Sequence, residues 1–101
     1  MSNKGYGLGY ERKEKDYLVN NEQHLYAQRC RGSLGVVDIL SFNAEGWFMT
    51  SVKSTREKKK SYNRDIQQLK DFAVPPDTIK RFVCYFRGKR KVVYEQREVK
   101  V

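Results

Sequence analysis

A chain of 101 residues is large enough for one domain with a single core and too short for two. Twenty-one Lys and Arg against 12 Asp and Glu give a formal charge of +9, which draws polyanions by long-range field and counterion release, nucleic acid first among them. No stretch approaches the roughly 18 apolar residues that span a bilayer, and the start, MSNKGYGLGYERKEK, lacks the apolar run of a signal peptide, so an intracellular protein with no membrane partner is expected.

Residues 1–8, rich in Gly and small polar side chains, predict a flexible N-terminus, and residues 9–101 a single domain. From Tyr10 to about Asn20 the composition suits a helix that gathers Tyr10, Glu14, Tyr17 and Leu18 on one face, with Asn20 and Asn21 as its stop. QHLYAQRC, residues 23–30, reads as a first strand, and RGSLG, residues 31–35, as a glycine loop able to approach a phosphate. VVDILSF and WFMTSVKST, joined by the turn NAEG, predict a strand hairpin. The basic connector REKKKSYNR then leads to a second helix, residues 63–72, with Ile66, Leu69 and Phe72 at core spacing and Pro75-Pro76 beyond it.

The segment after those prolines reads as two antiparallel strands about the turn RGKR, so the order α-β-β-β-α-β-β predicts an α/β fold: one mixed five-stranded sheet flanked by helices. Cys30 and Cys84 have no disulfide-framework or zinc-ligand spacing and are expected as buried thiols. His24, the single histidine, is expected at a strand end. Tyr62, Tyr85, Phe86 and Tyr94 fall in apolar periodic runs and suit core or dimer contacts rather than base-stacking platforms, while Trp47, next to the hairpin turn, suits either.

Strand alternation puts Val36, Asp38, Leu40 and Phe42 on one face, and Trp47, Met49, Ser51 and Lys53 on one face of the next strand. If the two faces are the same, Asp38, Ser51 and Lys53 meet at one end of the hairpin. A carboxylate between Val37 and Ile39 costs several kcal/mol to desolvate, roughly, unless it is paired or bound to a metal. An Asp38–Lys53 salt bridge without catalysis is therefore one outcome, and a hydrolytic centre the other.

The ordered set GYERKEKDYL, YAQRCRGSLGVVDILSF, WFMTSVKST and RDIQQLKDF resembles the archaeal Holliday junction resolvases and their phage and viral relatives in the PD-(D/E)XK nuclease superfamily. The resemblance implies a restriction-endonuclease-like domain and a Mg²⁺- or Mn²⁺-dependent homodimer that hydrolyses phosphodiester bonds in branched or four-way DNA. Asp38 matches the metal-binding aspartate, Lys53 the catalytic lysine, and Glu11 the helix glutamate of the metal shell, with Glu14 a possible substitute. The Val52 carbonyl matches a main-chain metal ligand. Arg12, Arg29, Arg31 and Ser33 fall at DNA-contacting positions, as do Gln68 or Gln67 beside the active site, and Lys58, Lys59 and Lys60 of the basic run are expected on the DNA backbone.

The departure is Ser51, where the family has glutamate or sometimes glutamine two residues before the lysine. Mg²⁺ can be held by one or two carboxylates with waters and substrate phosphate, so the remaining ligands could suffice. The sequence leaves open an active variant, an inactive DNA-binding relative and a substituted chain. A small basic structural protein of a nucleoprotein particle is a third class.

Overall fold

The computed structural model describes residues 3–30, 36–56 and 62–98, and of residues 3–8 the backbone alone. It is an α/β protein with two helices, α1 (Asn3–Asn21) and α2 (Asn63–Asp71), and five strands, β1 (Tyr26–Arg29), β2 (Ile39–Asn43), β3 (Gly46–Thr55), β4 (Ile79–Phe86) and β5 (Lys89–Arg97). The sheet runs β1-β2-β3-β4-β5, with β3 and β4 parallel and the other neighbours antiparallel. None of the described helices is long and apolar enough to cross a membrane.

The two faces of the sheet carry separate cores, which is how 101 residues can bury apolar side chains on both sides. On one face Leu18 of α1 packs with Ile39, Val52, Val83 and Tyr85, and Tyr10 closes its edge. On the other, Leu69 and Ile66 of α2, with Phe72 just beyond it, pack with Phe82, Cys84 and Met49. β4, flanked by β3 and β5, is buried along nearly its whole length, Lys80 and Arg81 included.

Two turns follow from their residues. Asn43 pairs with Gly46, and the Asn43 side-chain oxygen accepts the Glu45 amide at 2.8 Å, holding the bend while Gly46 takes φ 126°. Between β4 and β5 only Arg87 and Gly88 remain outside the ladder, at φ 50° and 85°, the left-handed pair of a type I′ turn. The turn is thus tighter than the sequence RGKR suggested, with Lys89 and Arg90 already in the strand.

Two element starts and one helix cap depart from expectation. α1 begins at Asn3 rather than near Tyr10, and nothing in the Gly-rich sequence there favours helix. Its end at Asn21 matches the expected stop, yet the left-handed residue is Gln23, at φ 57°, where the His24 amide turns back to the Leu18 carbonyl at 3.0 Å. β2 begins at Ile39, so Asp38 precedes the strand. The Asp38 amide donates to the Thr50 carbonyl at 2.9 Å, and Ile39 is also paired with Thr50. Two residues thus oppose one, as in a β-bulge, which breaks the simple alternation through Asp38.

Candidate active site

The bulge aims Asp38 along the end of the sheet. Its Oδ2 accepts the Val52 amide at 2.7 Å, two residues beyond the last β2–β3 rung. Amide and carbonyl of one strand residue project to the same side, so the Val52 carbonyl faces the same opening beside Asp38. Ser51, buried and one residue back, donates its hydroxyl to the Val36 carbonyl. That bond ties the chain entering the bulge to β3, so the serine acts on the backbone that carries Asp38.

Val36, Asp38, Ser51, Lys53, Asp65, Gln68 and Phe82 line one open cavity of about 310 Å³, mouth included. Three of the four residues expected at the catalytic centre are therefore neighbours here, and Gln68 joins them from α2. Gln67 points elsewhere: its amide donates to Asp71 at 3.0 Å. Asp65 was not expected. It stands three residues before Gln68 on α2, a spacing that puts both on one helix face, and this signal was present in RDIQQL.

Glu11 does not line the cavity; it stands on α1, across the sheet, near enough to Asp38 for their charges to interact. Burial raises its pKa above the ordinary carboxylate value, the Asp38 carboxylate raises it further, and the Arg29 and Lys53 cations oppose both. Asp38 is likewise raised by burial, against the lowering effects of the Val52 amide and of Lys53. Four charged groups, Glu11, Asp38, Arg29 and Lys53, thus feel one another at the end of the sheet. Even so, Lys53 is exposed and makes no ion pair with Asp38, so the simple salt bridge is not what forms. One guanidinium nitrogen of Arg29, Nη1, is buried without a hydrogen-bond partner.

Glu14 does not substitute for Glu11. It is fully buried one turn further along α1, where Arg90 donates to both its oxygens at 2.7 and 2.8 Å and the Tyr85 hydroxyl donates at 2.8 Å. Arg90 also lies 3.9 Å over the Tyr17 ring. Arg12 is exposed on α1 and does not line the cavity. Arg31, Ser33, Lys58, Lys59 and Lys60 lie outside the described residues.

No three of His, Cys, Asp and Glu among the described residues stand close enough to cage a metal. A hard, hydrated cation asks for less: Asp38, Glu11 and the Val52 carbonyl are all oxygen donors, and Mg²⁺ commonly takes one or two carboxylates and fills its shell with water and phosphate. The donor chemistry fits Mg²⁺ or Mn²⁺. Cys30 is half-buried beside these carboxylates, and burial together with the Asp38 and Glu11 charges raises its thiol pKa, which disfavours a thiolate ligand. Cys84 is instead buried with its thiol 3.2 Å from the Tyr62 hydroxyl, and His24 is buried against Phe48, away from the cavity. Comparison of the chain with models of protein families, with curated proteins and with solved structures found no match.

Proposed function

We propose that the chain is an intracellular, metal-dependent, structure-selective DNA endonuclease with a restriction-endonuclease-like fold, acting on branched DNA such as a four-way junction. The observation that carries this is that Asp38 and Lys53 line one open cavity without pairing with each other. A carboxylate and an ammonium held close yet unpaired forgo a favourable contact, and the arrangement makes sense where a phosphate and a cation come between them.

The roles follow from position. Asp38, Glu11 and the Val52 carbonyl would hold Mg²⁺ or Mn²⁺. When bound, that ion would polarise the phosphodiester and acidify an attacking water. Lys53 would place fixed positive charge where negative charge grows on phosphorus, the term that most often dominates such catalysis. Arg29, whose charge is felt by Glu11, would draw the phosphate, and Gln68 would orient water or phosphate from α2. Arg31, Ser33 and the Lys58 to Lys60 run would bind the DNA backbone. A homodimer would cut paired strands symmetrically, and Val92 and Val93, each 37% exposed on β5, supply an apolar contact for it.

One observation favours a second reading, a DNA-binding protein that keeps the frame without the chemistry. Ser51 spends its proton on the Val36 carbonyl and brings no carboxylate to the cavity.

Labelled four-way, flap, duplex and single-stranded DNA incubated with Mg²⁺ or Mn²⁺ separates the two. Nicking of a branched substrate that Asp38→Ala and Lys53→Ala both abolish establishes the enzyme. Tight junction binding without cleavage, with cleavage gained by Ser51→Glu, establishes the binding protein. Failure to bind any of these DNAs at moderate salt removes both.

A further inference from the structure

The sheet face that carries Ser51 and Lys53 at one end carries three partly uncovered aromatic rings at the other. The pairing of Tyr26 with Phe42 and of Phe42 with Trp47 sets one ring on each of β1, β2 and β3, in a row across the strands. Tyr26 and Phe42 are stacked, centroids 5.6 Å apart at 17°, and Trp47 meets Phe42 edge-on at 4.9 Å and 62°. Trp47 is 45% exposed and Tyr26 39%. α2 covers this face over Phe82, Cys84 and Met49, and its apolar side chains do not reach the outer row.

Along β3, Trp47 and Lys53 share a face and stand on the order of 20 Å apart at about 3.3 Å per residue. That is the length of at most roughly six nucleotides at the stacked rise of about 3.4 Å each, and of fewer where the strand is unstacked. Rings stacked on one another and half open to water offer flat π-faces, the surface on which nucleobases stack. Bases inside a continuous duplex are already stacked and present only their edges, so such a platform would take unpaired bases.

We propose that Tyr26, Phe42 and Trp47 form a platform for unpaired nucleobases of the DNA whose scissile phosphate occupies the Asp38–Lys53 cavity. The platform rests on the nuclease function proposed above and sharpens its substrate: DNA with unpaired bases within about six nucleotides of the cut. Two features favour this occupant over a second copy of the chain. The rings continue the very face that holds Lys53, and two copies at +9 each repel, whereas a polyanion is attracted.

Trp47 is the single tryptophan, so its emission reports the platform alone. Titrate the intact protein, in EDTA to prevent cleavage, with a splayed duplex bearing oligo-dT arms and with a continuous duplex of equal length, following Trp47 emission and the anisotropy of a fluorescein label. The expected result is quenching by the splayed DNA and not by the duplex. Trp47→Ala and, separately, Tyr26→Ala should weaken splayed-DNA binding by between about fivefold and a hundredfold while leaving duplex binding within about twofold. Because quenching is read on the unaltered protein, it stands whether or not a variant folds.

Binding of splayed DNA with no change in Trp47 emission overturns the platform and leaves the nuclease proposal intact. A shift from dimer to monomer in sedimentation of Trp47→Ala, with splayed-DNA affinity unchanged, assigns the rings to self-association and also overturns it. Binding of neither DNA removes the nuclease proposal and the platform together.

Discussion

Two carboxylates on α1 stand one helical turn apart and live in opposite circumstances. Glu14 is wholly buried and fully answered, with two charge-assisted bonds from Arg90 and one from the Tyr85 hydroxyl. Glu11 is only partly buried, faces another carboxylate in Asp38, and has its cations at a distance rather than in contact. The contrast separates a charge neutralised by direct contacts within the fold from one whose nearest cations act only through space. An acid paired as Glu14 is has no capacity left for a ligand. Glu11 and Asp38 retain theirs.

The comparison breaks most visibly at Glu14. Glu14→Ala leaves Arg90 without its partner and Tyr85 without its acceptor, and breaking a buried pair in this way costs about 3–5 kcal/mol. At about 4–8 °C per kcal/mol for a domain of this size, thermal denaturation should show a melting temperature lower by well over 10 °C. Glu11→Ala should leave the melting temperature nearly unchanged. Equal losses for the two variants would show that the carboxylates do the same work.

Ser51→Glu tests the other half. Ser51 is 3% exposed and its hydroxyl holds the Val36 carbonyl, so the larger side chain should cost about 1–3 kcal/mol by urea denaturation without metal. If the cavity receives a cation, Mg²⁺ should restore more stability to this variant than to the parent, because an added ligand raises affinity and binding to the native state alone is stabilising. An identical Mg²⁺ response in both would sink the assignment of the cavity to metal.

The smallest effect concerns a buried group with no hydrogen bond and no proposed ligand. His24 is 4% exposed, with Nε2 3.7 Å from the Glu22 carboxylate, and burial lowers its pKa below the ordinary histidine value of 6.5 against the raising effect of Glu22. The unfolded chain therefore takes up the proton first. Stability from this group is complete above about pH 6.5 and is lost as pH falls from there towards the folded-state pKa. His24→Leu should flatten this part of the pH–stability curve, measured by urea midpoints between about pH 5 and 7.5.

Much of this was legible where the pattern is local. Tyr10, Glu14, Tyr17 and Leu18 recur at helical spacing, and the structure buries or half-buries all four against the sheet. The alternation in VVDILSF and WFMTSVKST placed Ser51 and Lys53 on one face, where both line the cavity. What could not be read depends on distance along the chain. Arg90 lies 76 residues from Glu14, and no periodicity links them. The bulge at Asp38 was hidden as well, because it arises from how Thr50 across the ladder is shared, not from the residues VVD themselves. Asp65 shares a helix face with Gln68 in RDIQQL, but only the packing of α2 on the sheet brings that face to Ser51.

The parallel seam between β3 and β4 also has a consequence for how the protein forms. β2–β3 and β4–β5 each close through a short turn, whereas joining β3 to β4 must bring together the ends of the long connection that carries α2. Closing that longer loop carries the larger entropic cost, so the seam is the slower event. Asp38, Ser51 and Lys53 belong to the first hairpin, while Asp65, Gln68 and Phe82 arrive only with the crossover and β4. A chain stalled with its hairpins apart holds half a cavity. The cavity is therefore withheld until the most global step of folding is complete.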